Sequence, residues 1–208
     1  MGKVDLKKVY REYYGVGEEP EVVDLGEGVF LTVEGQGAPG GSVFQRKVKA
    51  IYSVAYGVKM ALKRRGRDFV VAPLEASWWA EGERQLLEVP REEWRWKLMI
   101  RMPDFVSERD VKEAKRRSVG KGVREAEEVR FEKIRVGVCA QALHVGPYSS
   151  EGRTIERIMR LLEERGLVAC GPHHEVYLSD PRRVPENKLK TIIRYRVESR
   201  EARSSASS

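Results

Sequence analysis

The run His173-His174-Glu175-Val176-Tyr177 gathers two imidazoles, a carboxylate and a phenol within five residues, and Leu178-Ser179-Asp180 continues it. Read as a strand, it sends alternate side chains to opposite faces. His174, Val176 and Leu178 form a mainly aliphatic set, expected to pack on a helix. His173, Glu175, Tyr177 and Ser179 form a polar and aromatic set, expected to look into a ligand groove. A carboxylate against aromatic walls loses hydration. That raises its pKa and suits it to general-base work or to a cationic ligand. Glu75, with Ser77 and Trp79, stands 100 residues earlier on what should be the corresponding face of a first half. The competing reading gives both glutamates a structural task, as hydrogen-bond acceptors or as partners of Arg101 and Arg194.

Four tryptophans cluster at positions 78, 79, 94 and 96. Trp78 and Trp79 must point to opposite faces, and Trp79 is the better candidate for a ligand wall. Alternation groups Trp94 and Trp96 with Leu98 and Ile100, a core pattern, with Trp94 kept among the candidate ligand contacts. Other chemistries lack support. His144, His173 and His174 with Glu175 do not have zinc spacing, because residues 173 and 174 point apart on a strand. No nucleophile elbow is present, and Gly35-Gln36-Gly37 lacks both the lysine of a phosphate loop and dinucleotide spacing. Haem has no histidine in a ligand context. Neither a metal nor a cofactor is expected.

The elements that must position these residues follow from an internal repeat. Arg65-Gly66 precedes Glu75 as Arg165-Gly166 precedes Glu175, and Leu98-Met99-Ile100-Arg101 is matched by Thr191-Ile192-Ile193-Arg194. A helix from about Phe44 to Arg65 lines Phe44, Val48, Ile51, Ala55, Val58 and Leu62 on one face. A second, from about Arg153 to Arg165, lines Ile155, Ile158, Met159 and Leu162. Gly66 and Gly166 supply the stops. Strands are expected at Val29 to Val33, Phe69 to Trp79 and Trp94 to Met102, then at Ile134 to Val145, His173 to Leu178 and Leu189 to Val197. Glycine-proline turns follow the first strand of each half. Ser107-Glu108-Arg109-Asp110 has capping-box spacing and opens a connecting helix.

The expected fold is therefore α+β: two tandem βαββ modules related by a pseudo-twofold axis, with a ligand groove between them. The modules span about residues 22–105 and 128–198 within a domain 22–198, joined by a helical connector 106–127. An extension, 1–21, precedes them, and a serine-rich tail, 199–208, is expected to be disordered.

With 208 residues, 41 % hydrophobic and 34 % charged, the chain can bury a proper core beneath a charged surface. Its net charge of +7 is spread over clusters interleaved with glutamates, and no nucleic-acid-binding motif accompanies it, so direct nucleic-acid binding is not expected. No apolar run approaches the roughly 20 residues of a membrane helix, and Met1 to Tyr14 has no signal-peptide core. A cytoplasmic location without membrane association is expected. Two unpatterned cysteines, Cys139 and Cys170, need no disulfide framework in a domain of this size, and their spacing leaves open whether they meet.

Glu34-Gly35-Gln36-Gly37-Ala38-Pro39, Pro73-Leu74-Glu75 with Trp78-Trp79, His144-Val145-Gly146-Pro147-Tyr148, and above all His173 through Arg183 resemble the GyrI-like small-molecule-binding family. The likeness runs from about Val22 to Val197. It implies tandem βαββ modules of the effector-binding kind, whose relatives hold lipophilic cations against aromatic rings and a buried glutamate. Among stand-alone members the chain is similar to the cyclopropanoid cyclopropyl hydrolases, which open the cyclopropane of flat, DNA-alkylating compounds with water. One departure is Ala76-Ser77, where the family pattern has glycine after the first glutamate. The resemblance implies a detoxifying hydrolase with Glu175 as base, Tyr148 or Tyr177 as hydrogen-bond donor, and Glu75, Trp78, Trp79, Trp94 and His173 binding the ligand. A non-catalytic binder of lipophilic cations is the alternative, and a gyrase-interacting inhibitor a further one.

Overall fold

The computed structural model describes residues 2–201 except 83 and 85; of the serine-rich tail, residues 202–208 lie outside the described residues. In chain order the elements are β1 (Val4–Asp5), α1 (Leu6–Val9), α2 (Arg11–Tyr14), β2 (Glu21–Asp24), β3 (Glu27–Gln36), α3 (Ser42–Arg64), β4 (Phe69–Val70), β5 (Leu74–Trp79), β6 (Arg95–Met102), α4 (Glu108–Gly120), β7 (Arg130–Arg135), β8 (Val138–Val145), α5 (Gly152–Glu164), β9 (Leu167–Tyr177) and β10 (Lys190–Ser199). The fold is α+β. The chain divides into two compact units, Met1–Val9 with Gly28–Ile134 and Tyr10–Glu27 with Arg135–Ser208. Each runs strand, helix, strand, strand through its largest elements, as the repeat predicts.

In the first unit the strands follow the order β5, β6, β3, β7, with β1 and β4 as a separate parallel pair. Trp78 lies opposite Trp96, Ala76 opposite Leu98 and Leu74 opposite Ile100. These residues are buried and form the face that receives α3, where Phe44 stacks on Trp78 at 5.5 Å and meets Trp96 edge-on at 5.2 Å. Ala50, Ile51, Val54, Ala55, Val58 and Leu62 of α3 are buried with them. Gly66 stops α3 at φ 78°, a left-handed conformation a side chain would strain. The predicted capping box holds: the Ser107 hydroxyl accepts from the Asp110 amide, and Asp110 accepts from the Ser107 amide.

In the second unit the order is β2, β8, β10, β9. Ala140, Ala142, Ile158, Leu162, Ile193 and Val197 make its core, with Ile155, Met159 and Tyr195 packed against them, so α5 covers this face. The other face carries Arg194, bonded through Nε and Nη2 to Gln141 Oε1 and through Nη2 to the Tyr13 carbonyl. Its guanidinium lies 4.1 Å from the Tyr13 ring centroid. Residues read from sequence as an N-terminal extension thus fold onto this sheet, with Tyr13, Tyr14 and Val16 buried.

Two expected strands are broken. Phe69 to Trp79 divides into β4 and β5, and Ile134 to Val145 divides where Gly137 turns at φ 74°. Cys139 and Cys170 both lie opposite Arg196, on the strands flanking β10. Two strand spacings separate them, about 10 Å, beyond the roughly 7 Å limit for a disulfide.

Candidate functional site

The register of β9 against β10 decides which side chains meet. Glu175 lies opposite Ile193 and Tyr177 opposite Thr191, and Ile193 belongs to the core beneath α5. The polar set His173, Glu175 and Tyr177 therefore occupies the helix face. This corrects the expectation that His174, Val176 and Leu178 pack on the helix: Val176 is buried opposite Ile192, on the face of Arg194 and Gln141. The aliphatic set has its own cover there, so apolar character alone did not identify the helix side. Arg194, the expected structural partner of Glu175, is on that opposite face too.

Glu175 is the centre of a hydrogen-bonded cluster. The Tyr177 hydroxyl donates to Oε2 at 2.5 Å, and His173 Nε2 lies 2.9 Å from Oε1. His173 Nδ1 meets the Tyr195 hydroxyl at 2.7 Å, which fixes the ring. Glu151, at the start of α5, also hydrogen-bonds Glu175. The side chains of His173 and Glu175 keep 13 % and 12 % of their surface exposed. Tyr148 is 41 % exposed and stands edge-on to Tyr177, with ring centroids 5.9 Å apart.

The electrostatics correct a second expectation. Burial pushes the Glu175 carboxyl up, but hydrogen bonds from His173, Tyr177 and Glu151 and the charge of His173 outweigh it and hold the group below its ordinary range. The raised carboxyl is Glu151. Burial, the neighbouring Glu175 charge and their mutual hydrogen bond push it to about 9. One carboxyl of the pair is thus ionised and the other neutral at pH 7. Burial and the two glutamates also raise Tyr195, and burial followed by Glu175, Glu151 and Asp180 raises Tyr148.

The His144-Val145-Gly146-Pro147-Tyr148 segment is the bracket that delivers Tyr148 and Glu151. His144 Nδ1 is 3.0 Å from Thr154 Oγ1 in α5, and its Nε2 is 3.1 Å from the Pro147 carbonyl. Gly146 turns the chain at φ 138°. A 3-10 turn, Tyr148–Ser150, then leads into Glu151, whose carbonyl accepts from the amides of Thr154 and Ile155 at 2.9 and 3.0 Å.

The other sequence candidates lie in the first unit. Glu75 is fully buried opposite Met99, and Trp79 is half-buried opposite Arg95, both on the sheet face away from α3. Equal spacing from the helix stops thus leaves Glu75 and Glu175 on different faces relative to their own helices. Trp78 and Trp94 meet edge-on at 5.9 Å within the Phe44 and Trp96 cluster.

Sequence reasoning missed Glu151 and Tyr195. Glu151 reads as an ordinary acid complementing a helix N-terminus. Tyr195 shares the parity of Ile193, and that was the available signal. Among the described residues, Glu151, His173 and Glu175 each offer a ligand atom within 4.8 Å of the others, a nitrogen and two oxygens suited to a divalent cation. A cation there would have to displace the proton of Glu151. No helix among the described residues is long and apolar enough to cross a membrane.

The sequence profile of the GyrI-like small molecule binding domain matches residues 18–198. A comparison with curated proteins finds no match. Among solved structures, an uncharacterized conserved protein from Listeria innocua is 37 % identical, with a TM-score of 0.88 over 94 % of this chain and 100 % of its own. A hydrolase from Listeria innocua is 35 % identical, with a TM-score of 0.83 over 94 % of this chain and 100 % of its own. The EcmrR C-terminal domain shares the fold at 13 % identity and a TM-score of 0.55, over 86 % of this chain and 97 % of its own.

Proposed function

The chain belongs to the GyrI-like small-molecule-binding domain family, and from that premise we propose that it is a hydrolase that adds water to the strained cyclopropane of flat, conjugated electrophiles. The carrying observation is Glu175: a carboxylate buried beside aromatic rings, held ionised by His173 and Tyr177, with 12 % of its side chain still exposed. The 35 % identity to a Listeria hydrolase supports the reaction class.

In this reading the ligand lies against the rings of Tyr148 and Tyr177. Glu175 accepts a proton from the water that attacks the cyclopropyl carbon. Fixed hydrogen bonds keep the carboxylate oriented, so little reorganisation accompanies the attack. The Tyr177 hydroxyl is committed to Glu175, which leaves Tyr148 to hydrogen-bond the dienone oxygen as it gains negative charge. Release of ring strain and the gain of aromaticity supply most of the driving force.

One observation favours a second reading. A single buried anion flanked by tyrosine rings also suits a lipophilic cation, bound and released unchanged. Mass spectrometry of a cyclopropyl dienone incubated with the protein and with Glu175→Gln separates the two. A water adduct formed by the wild type and lost in the variant is the expected result. Unchanged compound at the protein-free rate, together with tight binding of a lipophilic cation, would replace the hydrolase by the binder.

A further inference from the structure

Zinc spacing is absent from the sequence because His173 and His174 point apart on a strand. Folding supplies what the spacing lacks. His173 and Glu175 share one face of β9, and the start of α5 brings Glu151 to them, so that one imidazole nitrogen and two carboxylate oxygens lie within 4.8 Å of one another. Around a four-coordinate zinc, with bonds of about 2.0–2.1 Å, donor atoms lie about 3.3 Å apart. His173 Nε2 and Glu175 Oε1, at 2.9 Å, are already close to that separation. The closing movement falls to Glu151, whose side chain has the rotatable bonds to make it.

An independent observation points to a ligand. Glu151 is 6 % exposed, yet its Oε1 has no hydrogen-bond partner among the described residues. A buried carboxyl oxygen without a partner is expensive to maintain in a folded protein. The same carboxyl hydrogen-bonds Glu175, so it already faces the donor set, and Oε1 breaks no bond in turning to a cation. The other two ligands have outer contacts that fix them. His173 Nδ1 is 2.7 Å from the Tyr195 hydroxyl, an oxygen placed as ligating imidazoles commonly have one. That hydroxyl donates to a bare Nδ1 or accepts from a protonated one. The Tyr177 hydroxyl occupies Glu175 Oε2, which leaves Oε1 to the cation. Two ionised carboxylates need a divalent partner to be neutral inside the fold. The imidazole favours zinc over magnesium or calcium, which take oxygen sets.

We propose that Glu151, His173 and Glu175 form a zinc site, whose three protein ligands leave a fourth position for water. Zinc replaces the hydrogen bonds that join Glu175 to His173 and Glu151, and it leaves those from Tyr177 and Tyr195 in place. It also takes Glu175 Oε1. Zinc binding and base catalysis by Glu175 are therefore alternatives, and the site goes beyond the hydrolase proposed above.

The test uses untagged residues 1–208, freed of metal with a chelator and titrated with zinc chloride by calorimetry. One equivalent should bind, and Co2+ in its place should give the intense visible absorption of a low-coordinate site. Glu151→Gln and His173→Gln, each first shown to be folded by circular dichroism, should weaken binding more than about 100-fold, beyond the loss of an outer contact. Tyr195→Phe should weaken it about 10-fold by releasing the His173 ring. His174→Gln, on the opposite face of β9, should bind as the wild type does. The chain has three histidines, so long-range 1H–15N spectra of the wild type decide the matter even where a variant does not fold. Zinc should move His173 Nε2 far more than any ring nitrogen of His144 or His174. Absence of binding, binding undiminished by Glu151→Gln or His173→Gln, or a shift centred on His144 or His174 would overturn the site. None of these readouts uses a cyclopropyl dienone, so an inert enzyme would leave the zinc site standing, and a failed titration would leave the hydrolase.

Discussion

Glu151 ionises near pH 9 in the fold and near 4.5 in an unfolded chain, so the two states bind different numbers of protons between those values. Below pH 4.5 both hold the proton, and the fold bears no penalty. As pH rises, the unfolded chain gains an ionised carboxyl that the fold refuses, and stability falls until about pH 9. The loss amounts to about 3 kcal/mol by pH 7. Glu175 runs the other way. Its depressed carboxyl stabilises the fold above the ordinary carboxylate range and loses that contribution as pH falls through the folded value. Glu151→Gln removes the first effect and leaves Glu175 its bonds from His173 and Tyr177. Urea midpoints should therefore shift in favour of the variant between pH 4.5 and pH 8, and parallel profiles would sink the assignment of the raised carboxyl. Tyr177→Phe tests the other partner. It removes a hydrogen bond to a buried carboxylate, worth about 1.5–3 kcal/mol, so unfolding should become easier. The acid limb of activity should also move to higher pH, because one of the groups holding Glu175 ionised is gone.

At the scale of elements, Gly35 shows why a motif can be visible in sequence while its purpose is not. Gly35-Gln36-Gly37 lacks the lysine and the spacing of a phosphate loop, and its first glycine has a packing task. A Cβ on Gly35 would sit 2.2 Å from the Trp96 ring, and the Trp96 indole donates to the Gly37 carbonyl at 3.1 Å. Gly35→Ala must push a fully buried tryptophan out of place and should cost at least about 1–3 kcal/mol, read as a lower melting temperature. A melting temperature unchanged within error would contradict that packing. Both long helices, their glycine stops and the capping box were legible because local spacing and φ requirements determine them. The facing of β9 was not. Alternation separates His173, Glu175 and Tyr177 from Val176, but it cannot say which set meets α5 when both faces are covered. Only pairing with Ile193 resolves that. The same cross-strand information places Cys139 and Cys170 either side of Arg196. Mild oxidation should leave both thiols free by intact mass, and the Cys139 thiol, pushed by burial to about 11, should react slowly with alkylating reagents. A two-hydrogen mass loss would require β8 and β9 to be paired differently.

Across the whole chain, the boundaries of the family match and the boundaries of the folded unit differ. The profile begins at residue 18, but the second compact unit begins at Tyr10. Between them lie Tyr13, Tyr14 and Val16, all buried, and the Tyr13 carbonyl and ring that receive the Arg194 guanidinium. Arg194 is 1 % exposed, and its Nη1 has no hydrogen-bond partner among the described residues. Gln141 and Tyr13 therefore carry the task of keeping a buried cation tolerable. Gln141 is itself held by the Glu12 carbonyl and by Glu21, each at 3.0 Å, so the same N-terminal segment supports the arginine twice. A chain trimmed to residues 18–198 keeps all of Glu151, His173, Glu175 and Tyr177 yet strips this support. The lost burial of two tyrosines and a valine, with the lost bond to a charged group, should cost about 5 kcal/mol or more. That is comparable to the whole stability of many domains. The trimmed chain is expected to be insoluble or to unfold at a much lower urea concentration than residues 1–208. Arg194→Met in the full-length chain, which removes the buried charge, should be tolerated far better than the trimming. Equal stability of the trimmed and full chains would show that the segment merely rests on the sheet.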